Sequence, residues 1–115
     1  MAKEDYKGIW IFAEQENGVL HPTVLELLAK AQELKAFNGE GIYAVLLGSG
    51  VASLAKTLFE YGADKVILAD NEALASYSAR PYEKVLTELA EKYKPCIILD
   101  GATPLGRDLA PRIMV

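Results

Sequence analysis

The feature that most constrains the fold is the alternation of short apolar runs with stretches whose apolar residues have helical spacing. The runs are continuous rather than alternating, which is typical of strands covered on both faces. Strands that alternate with amphipathic helices predict an α/β fold, a doubly wound parallel sheet in a three-layer α/β/α sandwich. The four predicted strands are Gly8–Ala13, Ile42–Leu47, Lys65–Ala69 and Cys96–Leu99.

The ends of the intervening elements are marked by turn residues. Gln15–Gly18 is turn-like, and the first helix is predicted to end near Ala36, ahead of Asn38-Gly39. The third helix is predicted to begin at Pro81, because proline is tolerated in the first turn. The second is predicted to end at Gly62 and to turn five residues inward: Val51, Leu54, Ala55, Leu58 and Phe59.

The predicted order of the strands, numbered along the chain, is 3-2-1-4. The switch point of such a sheet then lies between the first and fourth strands, and open α/β sheets bind their ligands at that point. Glu14 ends the first strand, and the loop Asp100–Thr103 follows the fourth. We therefore expect Glu14 to face this loop across a crevice, either as a solvated strand end or as an acceptor of hydrogen bonds.

The segment after the fourth strand carries the strongest candidate residues. Thr103 is a suitable N-cap, and a helix is predicted from Pro104 that Pro111 should kink or stop. Arg107 falls in the first turn, where the helix dipole favours anions, a preference that Asp108 meets. Exposed charges here contribute only about 0–1 kcal/mol. The unfavourable placement of Arg107 is easier to understand if an anion or a partner carboxylate compensates it.

Gly48-Ser49-Gly50 partly resembles a dinucleotide-binding fingerprint. It follows the second strand rather than the first, and Ser53 replaces the third glycine. No acid at a later strand end has a clear role in contacting a ribose, and Asp70 is the only candidate. The two interpretations are a weak phosphate loop and a tight strand-to-helix turn with a serine N-cap.

Catalytic and metal-binding groups are not indicated. The single Cys96 has no neighbouring histidine to activate it and is expected in the core. The single His21 precedes a proline and is expected in a surface turn. The sequence offers no nucleophile–base pair, no acid–base pair of carboxylates and no cluster of metal ligands.

Composition limits the partners and the compartment. The 115 residues include 16 acidic and 12 basic side chains, a net charge of −4, which argues against binding to nucleic acid or a lipid surface. No apolar run approaches the roughly 18 residues of a membrane span. A lone cysteine excludes an internal disulfide and fits a reducing compartment. With no signal-peptide pattern at the start, we expect a cytoplasmic protein forming one domain over residues 1–115.

The segment GATPLGRDLAPR, residues 101–112, resembles the electron-transfer flavoprotein alpha subunit, in which the corresponding stretch reads much like GAT-x-x-GRDLAPR. Ile9–Glu14 with Asn17-Gly18, Tyr61–Val66 and Ala69-Asp70 fit the same family. The resemblance covers the whole chain, but the family's subunits are more than twice as long. Their FAD-binding domain would lie downstream of Val115.

The resemblance implies a fold similar to the adenine nucleotide alpha hydrolase-like superfold and a role in electron transfer. Electrons would come from a dehydrogenase, such as acyl-CoA dehydrogenase, or from NADH, and would pass through FAD held by the intact heterodimer rather than by this chain. The domain would pack on the beta subunit and carry no catalytic residue. The cofactor-binding or partner-facing residues would be Glu14, Thr103, Gly106, Arg107, Asp108 and Arg112.

Two alternatives belong to other functional classes. A stand-alone nucleotide-binding module of the universal-stress type would use Gly48, Ser49 and Gly50 to bind ATP or AMP. An independent enzyme would need catalytic residues that the sequence does not offer. The fold alone does not choose, because this superfold hosts many functions.

The fourth strand is expected at an exposed, apolar sheet edge. Doubly wound sheets normally continue with a fifth strand, and an open apolar edge is a pairing hazard. We therefore expect the chain to be a fragment whose edge is covered by more of the same polypeptide.

Overall fold

Four parallel strands form the centre of the computed structural model, which describes residues 8–16, 18–75, 77–95, 97–101 and 103–113. The strands are β1 (Ile9–Phe12), β2 (Gln15–Glu16), β3 (Val19–Leu20), β4 (Ile42–Gly48), β5 (Lys65–Asp70) and β6 (Ile97–Leu99). The helices are α1 (Thr23–Asn38), α2 (Leu54–Glu60), α3 (Ala79–Tyr93) and α4 (Pro104–Ile113), with a 3₁₀ turn at Glu72–Leu74.

The sheet order is β5-β4-β1-β6, and every neighbouring pair is parallel. This order confirms the predicted 3-2-1-4 arrangement of the four main strands. In the register, Ile9 of β1 lies opposite Ile42 of β4 and Ile97 of β6. The strand β6 lies at one edge of the described sheet, as expected, and Cys96 before it lies outside the described residues.

Alternate side chains of the central strands divide the core into two layers. Ile9 and Ile11 pack with α1 and α2 on one face, whereas Trp10 and Phe12 pack with α3 and α4 on the other. All four of these side chains are buried, because helices cover both faces of β1. Burying each large apolar side chain contributes about 1.5–3 kcal/mol. The predicted doubly wound, three-layer architecture is therefore confirmed.

A small antiparallel hairpin follows β1, where the sequence predicted only a turn. It pairs Gln15 with Leu20 and Glu16 with Val19. The side chain of Gln15 explains why this segment is ordered. Its Nε2 donates to the Leu47 carbonyl at 3.1 Å, and its Oε1 accepts from the Gly18 amide at 3.0 Å. One buried amide thus ties the hairpin to the end of β4.

Three helix predictions need correction. Phe59 is 50% exposed rather than inward, because α2 turns the adjacent Leu58 into the core and successive helical side chains point in different directions. Ser53 precedes α2 without a side-chain capping bond. The third helix begins at Ala79, and Pro81 remains within its first turn, where the missing N–H costs nothing.

The fourth helix begins at Pro104 as predicted but continues past Pro111 to Ile113. Of the two expected effects of Pro111, the stop is wrong and the kink stays a prediction. A proline in the last turn removes one backbone donor near the end of the hydrogen-bond ladder, so its cost is confined to that turn. In the described part of the chain, none of the helices is long and apolar enough to cross a membrane.

Candidate functional site

The carboxyl ends of β1 and β6 meet at the switch point of the sheet. The chain leaves β1 towards α1 on one face and leaves β6 towards α4 on the other, so the two loops separate and open a crevice. Across it, the Thr103 hydroxyl donates a hydrogen bond to Glu14 Oε1 at 2.6 Å. The two residues are 89 positions apart in sequence. The predicted juxtaposition of Glu14 and this loop is confirmed.

Thr103 also caps α4, as predicted. Its Oγ1 accepts a hydrogen bond from the Gly106 amide at 3.0 Å, and its carbonyl accepts from the Arg107 amide at 2.8 Å. The same hydroxyl therefore donates to a carboxylate and accepts from a helix amide. Thr103 is only 6% exposed, so water competes little for either bond.

Gly106 is required by packing at the start of α4. A Cβ on this residue would lie 2.1 Å from the Gly101 carbonyl oxygen and 3.3 Å from Asp100 Oδ2. The helix therefore packs directly against the loop after β6, with no space for a side chain. This close packing accounts for a glycine at position 106, so no bound ligand is needed to explain it.

Asp108 lies one turn further along α4 and is held by Tyr77. The Tyr77 hydroxyl donates to Asp108 Oδ2 at 2.5 Å. The Tyr77 ring contacts the Tyr82 ring edge-on, with centroids 5.0 Å apart. Tyr82 in turn donates to the Leu74 carbonyl at 3.0 Å, and burial raises the pKa of its phenol. Sequence reasoning missed Tyr77 as the partner of Asp108, because nothing in the local pattern relates a loop before α3 to a helix after β6.

Arg107 is exposed on α4. Among the residues that the structure describes, its guanidinium forms no salt bridge. The backbone at Arg112 continues the same helix, but its side chain lies outside the described part. Of the predicted site, Glu14, Thr103 and Gly106 meet at the crevice, Asp108 is tied to Tyr77, and Arg107 projects into solvent.

A cleft of about 750 Å³ lies between the hairpin and α4. Glu14, Glu16 and Asp108 contribute carboxylates to its lining, which also includes His21 and Tyr77. Neither lysine nor arginine is among the described residues that line it. The electrostatic character of this cleft therefore opposes anionic ligands such as a pyrophosphate.

Two titratable groups near the cleft are engaged in the fold. His21 Nδ1 accepts a hydrogen bond from the Thr23 amide at 3.1 Å, which caps the start of α1. Burial raises the pKa of the Asp100 carboxyl, its own backbone amide opposes that rise, and the nearby charge of Glu14 adds to it. Within the described residues, no three His, Cys, Asp or Glu side chains group as a metal site.

The Gly48-Ser49-Gly50 loop is already occupied by a carboxylate of the chain. The Gly50 amide donates to Asp70 Oδ1 at 2.9 Å, and the Gly48 carbonyl accepts from the Asn71 amide at 2.9 Å. A phosphate at this loop would meet the charge of Asp70. The geometry is that of a tight turn joining β4 to the end of β5, and α2 begins only at Leu54.

Comparison with known proteins gives one consistent result. The profile of the family described as "Electron transfer flavoprotein domain" matches residues 9–113. The electron transfer flavoprotein subunit alpha of Thermoanaerobacterium thermosaccharolyticum is 50% identical over 109 residues, which are 95% of this chain and 33% of the relative. The corresponding subunit of Clostridium acetobutylicum is 50% identical over 113 residues, 98% of this chain and 34% of the relative.

A third relative is subunit LctC of lactate dehydrogenase (NAD(+),ferredoxin) from Acetobacterium woodii. It is 42% identical over 111 residues, which are 96% of this chain and 27% of the relative. The chain thus spans about a third of the length of the curated relatives that it matches.

Proposed function

Because the chain belongs to the electron transfer flavoprotein family, we propose that the whole protein transfers electrons through FAD and that residues 1–115 form its N-terminal α/β domain. The observation that carries this proposal is the family match over residues 9–113. The relatives named electron transfer flavoprotein subunit alpha support the assignment to that subunit.

The proposal divides the work between this domain and the rest of the protein. FAD is bound outside this chain, and the domain builds the interface that holds the flavin-bearing parts in electron-transfer geometry. Two observations support this division. The cleft between the hairpin and α4 has the carboxylates of Glu14, Glu16 and Asp108 in its lining. In the glycine loop, the Gly50 amide already donates to Asp70. Both features disfavour a pyrophosphate in the places where α/β sheets usually bind one.

The proposed partner is the beta subunit of a heterodimer. Arg107 on α4 supports this assignment, because an exposed arginine at the positive end of a helix dipole gains from a partner carboxylate. Asp108, held by Tyr77, and Arg112 lie on the same helix and complete the proposed surface.

The proposed electron donor is a dehydrogenase, such as acyl-CoA dehydrogenase, or NADH. The Acetobacterium woodii relative, named as a subunit of a lactate dehydrogenase, supports a dehydrogenase among the partners.

We also place the protein in the cytoplasm, because a single cysteine is typical of a reducing compartment.

The experiment is purification of the whole protein that contains this domain, co-expressed with its beta subunit. The proposal predicts a yellow heterodimer whose flavin spectrum bleaches when a donor dehydrogenase and its substrate, or NADH, are added. A colourless complex, or a flavin that none of these donors reduces, contradicts it.

The alternative of a universal-stress-type module is not favoured by the family match or by the occupied glycine loop. It predicts that the 115-residue chain binds ATP or AMP, which calorimetric titration measures directly. Stoichiometric nucleotide binding to the chain, weakened by replacing Ser49 or Gly50, would revive this alternative.

A further inference from the structure

Helix α4 begins at Pro104, so Asp108 lies beyond its first turn, and the expectation that Asp108 meets the anion preference there is wrong. Its first turn, Pro104 to Arg107, contains no acidic residue and includes an arginine. The unpaired amides of a helix start carry partial positive charge, so Arg107 adds like charge to the same end. An anion near this end would offset both contributions.

Glu14, which follows β1, contributes a carboxylate at this end, and the Asp100 carboxyl lies near Gly106 at the same end. The Thr103 hydroxyl donates to the Glu14 carboxylate, and 2.6 Å separates Oγ1 from Oε1. Such a carboxylate only accepts, so it fixes the direction of the single hydroxyl proton. A lone pair of Thr103 is then directed towards the Gly106 amide, 3.0 Å away.

The backbone at Glu14 is held in place by its surroundings. The Glu14 carbonyl accepts a hydrogen bond from the His21 amide at 2.9 Å, which closes the hairpin. Gln15, the next residue, is tied to the Leu47 carbonyl. Glu14 therefore projects from a fixed point between β1 and the hairpin. Its side chain bonds to Thr103, which in turn caps α4.

We propose that Glu14 is the positioning residue for α4, acting through Thr103, and that this relay sets where Arg107 is presented to the partner. Glu14 and Thr103 are then not partner contacts: their side chains satisfy each other and the helix start. Recognition by Arg107 rests on the proposed function, whereas positioning of α4 is a property of the chain itself.

The test compares four variants of the whole protein. Thr103→Val keeps the shape and removes the hydroxyl, and Thr103→Ser restores it. Glu14→Gln keeps an acceptor oxygen and removes the charge. Glu16→Gln is the matched control, because Glu16 lines the same cleft but is exposed on the hairpin.

Hydrogen exchange at the amides of Gly106 and Arg107 is measured together with affinity for the beta subunit. Thr103→Val should speed exchange about tenfold and weaken affinity severalfold, because the helix loses its cap. Glu14→Gln should give a smaller change of both, Thr103→Ser should be close to the unaltered protein, and Glu16→Gln should change neither.

Unchanged exchange in Glu14→Gln overturns the positioning role of Glu14, whatever Thr103→Val or the partner does. Faster exchange with unaltered affinity overturns the link between this relay and recognition. If the unaltered protein does not bind the beta subunit, the proposed function fails, and the exchange rates still decide the role of Glu14.

Discussion

Arg107 differs from the neighbouring candidate residues in the contacts of its side chain. Thr103 and Asp108 are engaged by Glu14 and Tyr77, whereas Arg107 is exposed. The local pattern was enough to predict the N-cap and the unfavourable placement of Arg107. It did not predict Tyr77, because that contact depends on how two distant segments pack. The role of Arg107 at an interface remains our proposal.

Arg107→Ala is expected to weaken binding of the beta subunit about tenfold or more, since arginines at interface centres often dominate affinity. The free energy of unfolding should stay within about 0.5 kcal/mol, as for most exposed substitutions. Arg107→Lys should bind with intermediate affinity, because lysine lacks the planar fork for bidentate pairing. Affinity is measured by calorimetry and stability by urea unfolding.

The matched control is Arg80→Ala, which removes another exposed arginine from the first turn of a helix, α3. It should leave affinity unchanged. Equal loss of affinity in both variants would indicate a general charge effect. A large loss of stability with unaltered affinity would make Arg107 a structural residue.

Asp64 provides a test of pH dependence on the opposite edge of the sheet. Its carboxylate contacts Lys35 Nζ at 2.8 and 2.9 Å and accepts from the Ile42 amide at 2.8 Å. These interactions, with Lys35 first, hold the pKa of Asp64 below its ordinary value of 3.8. The stabilisation is therefore present above that pH and is lost as the pH falls through the lowered pKa.

Asp64→Asn should lower the free energy of unfolding at neutral pH by about 1 kcal/mol, since the pair is partly exposed and screened. The difference from the unaltered chain should shrink in urea unfolding as the pH falls below 3.8. Glu33→Gln is the control, because the Lys30–Glu33 pair is exposed and spaced at 3.4 Å. A difference for Asp64→Asn that grows in acid would contradict this account.

Among the elements, the main strands and helices were predictable from apolar periodicity, because the apolar face of each one packs against neighbouring elements. The errors lie where tertiary contacts override local signals. Gln15 holds the hairpin by reaching the Leu47 carbonyl, and Val51 is buried in the core ahead of α2. Neither feature can be predicted from the residues next to it in the sequence.

Gly106→Ala separates helix propensity from packing in α4. In an isolated helix this change should stabilise by about 1 kcal/mol. Here the new Cβ would lie 2.1 Å from the Gly101 carbonyl oxygen, so backbone must move. We expect a net loss of about 1–3 kcal/mol by urea unfolding, as for overpacked sites.

Arg107→Ala serves as the control in the same helix, since it also introduces alanine but creates no contact of this kind. It should show little change in the same unfolding experiment. A stabilised Gly106→Ala would show that α4 is not packed against the loop after β6 as described.

At the scale of the whole molecule, the sheet order and the family were both predictable. Right-handed crossovers restrict the order, and GATPLGRDLAPR, residues 101–112, pointed to the family that the match over residues 9–113 confirms. What the sequence could not give is the electrostatic character of the crevice. That property arises from Glu14 and Glu16 at the hairpin and Asp108 on α4, two distant segments that only the fold brings together.

The most direct measurement of the central claim is flavin retention. The 115-residue chain and the whole protein with its beta subunit are each mixed with FAD, desalted and examined by visible absorbance. A cooperative thermal transition of the chain serves as the folding control. The account predicts stoichiometric flavin on the complex and none on the chain. A folded chain that retains stoichiometric flavin would contradict the proposed division between a partner-facing domain and a flavin site elsewhere.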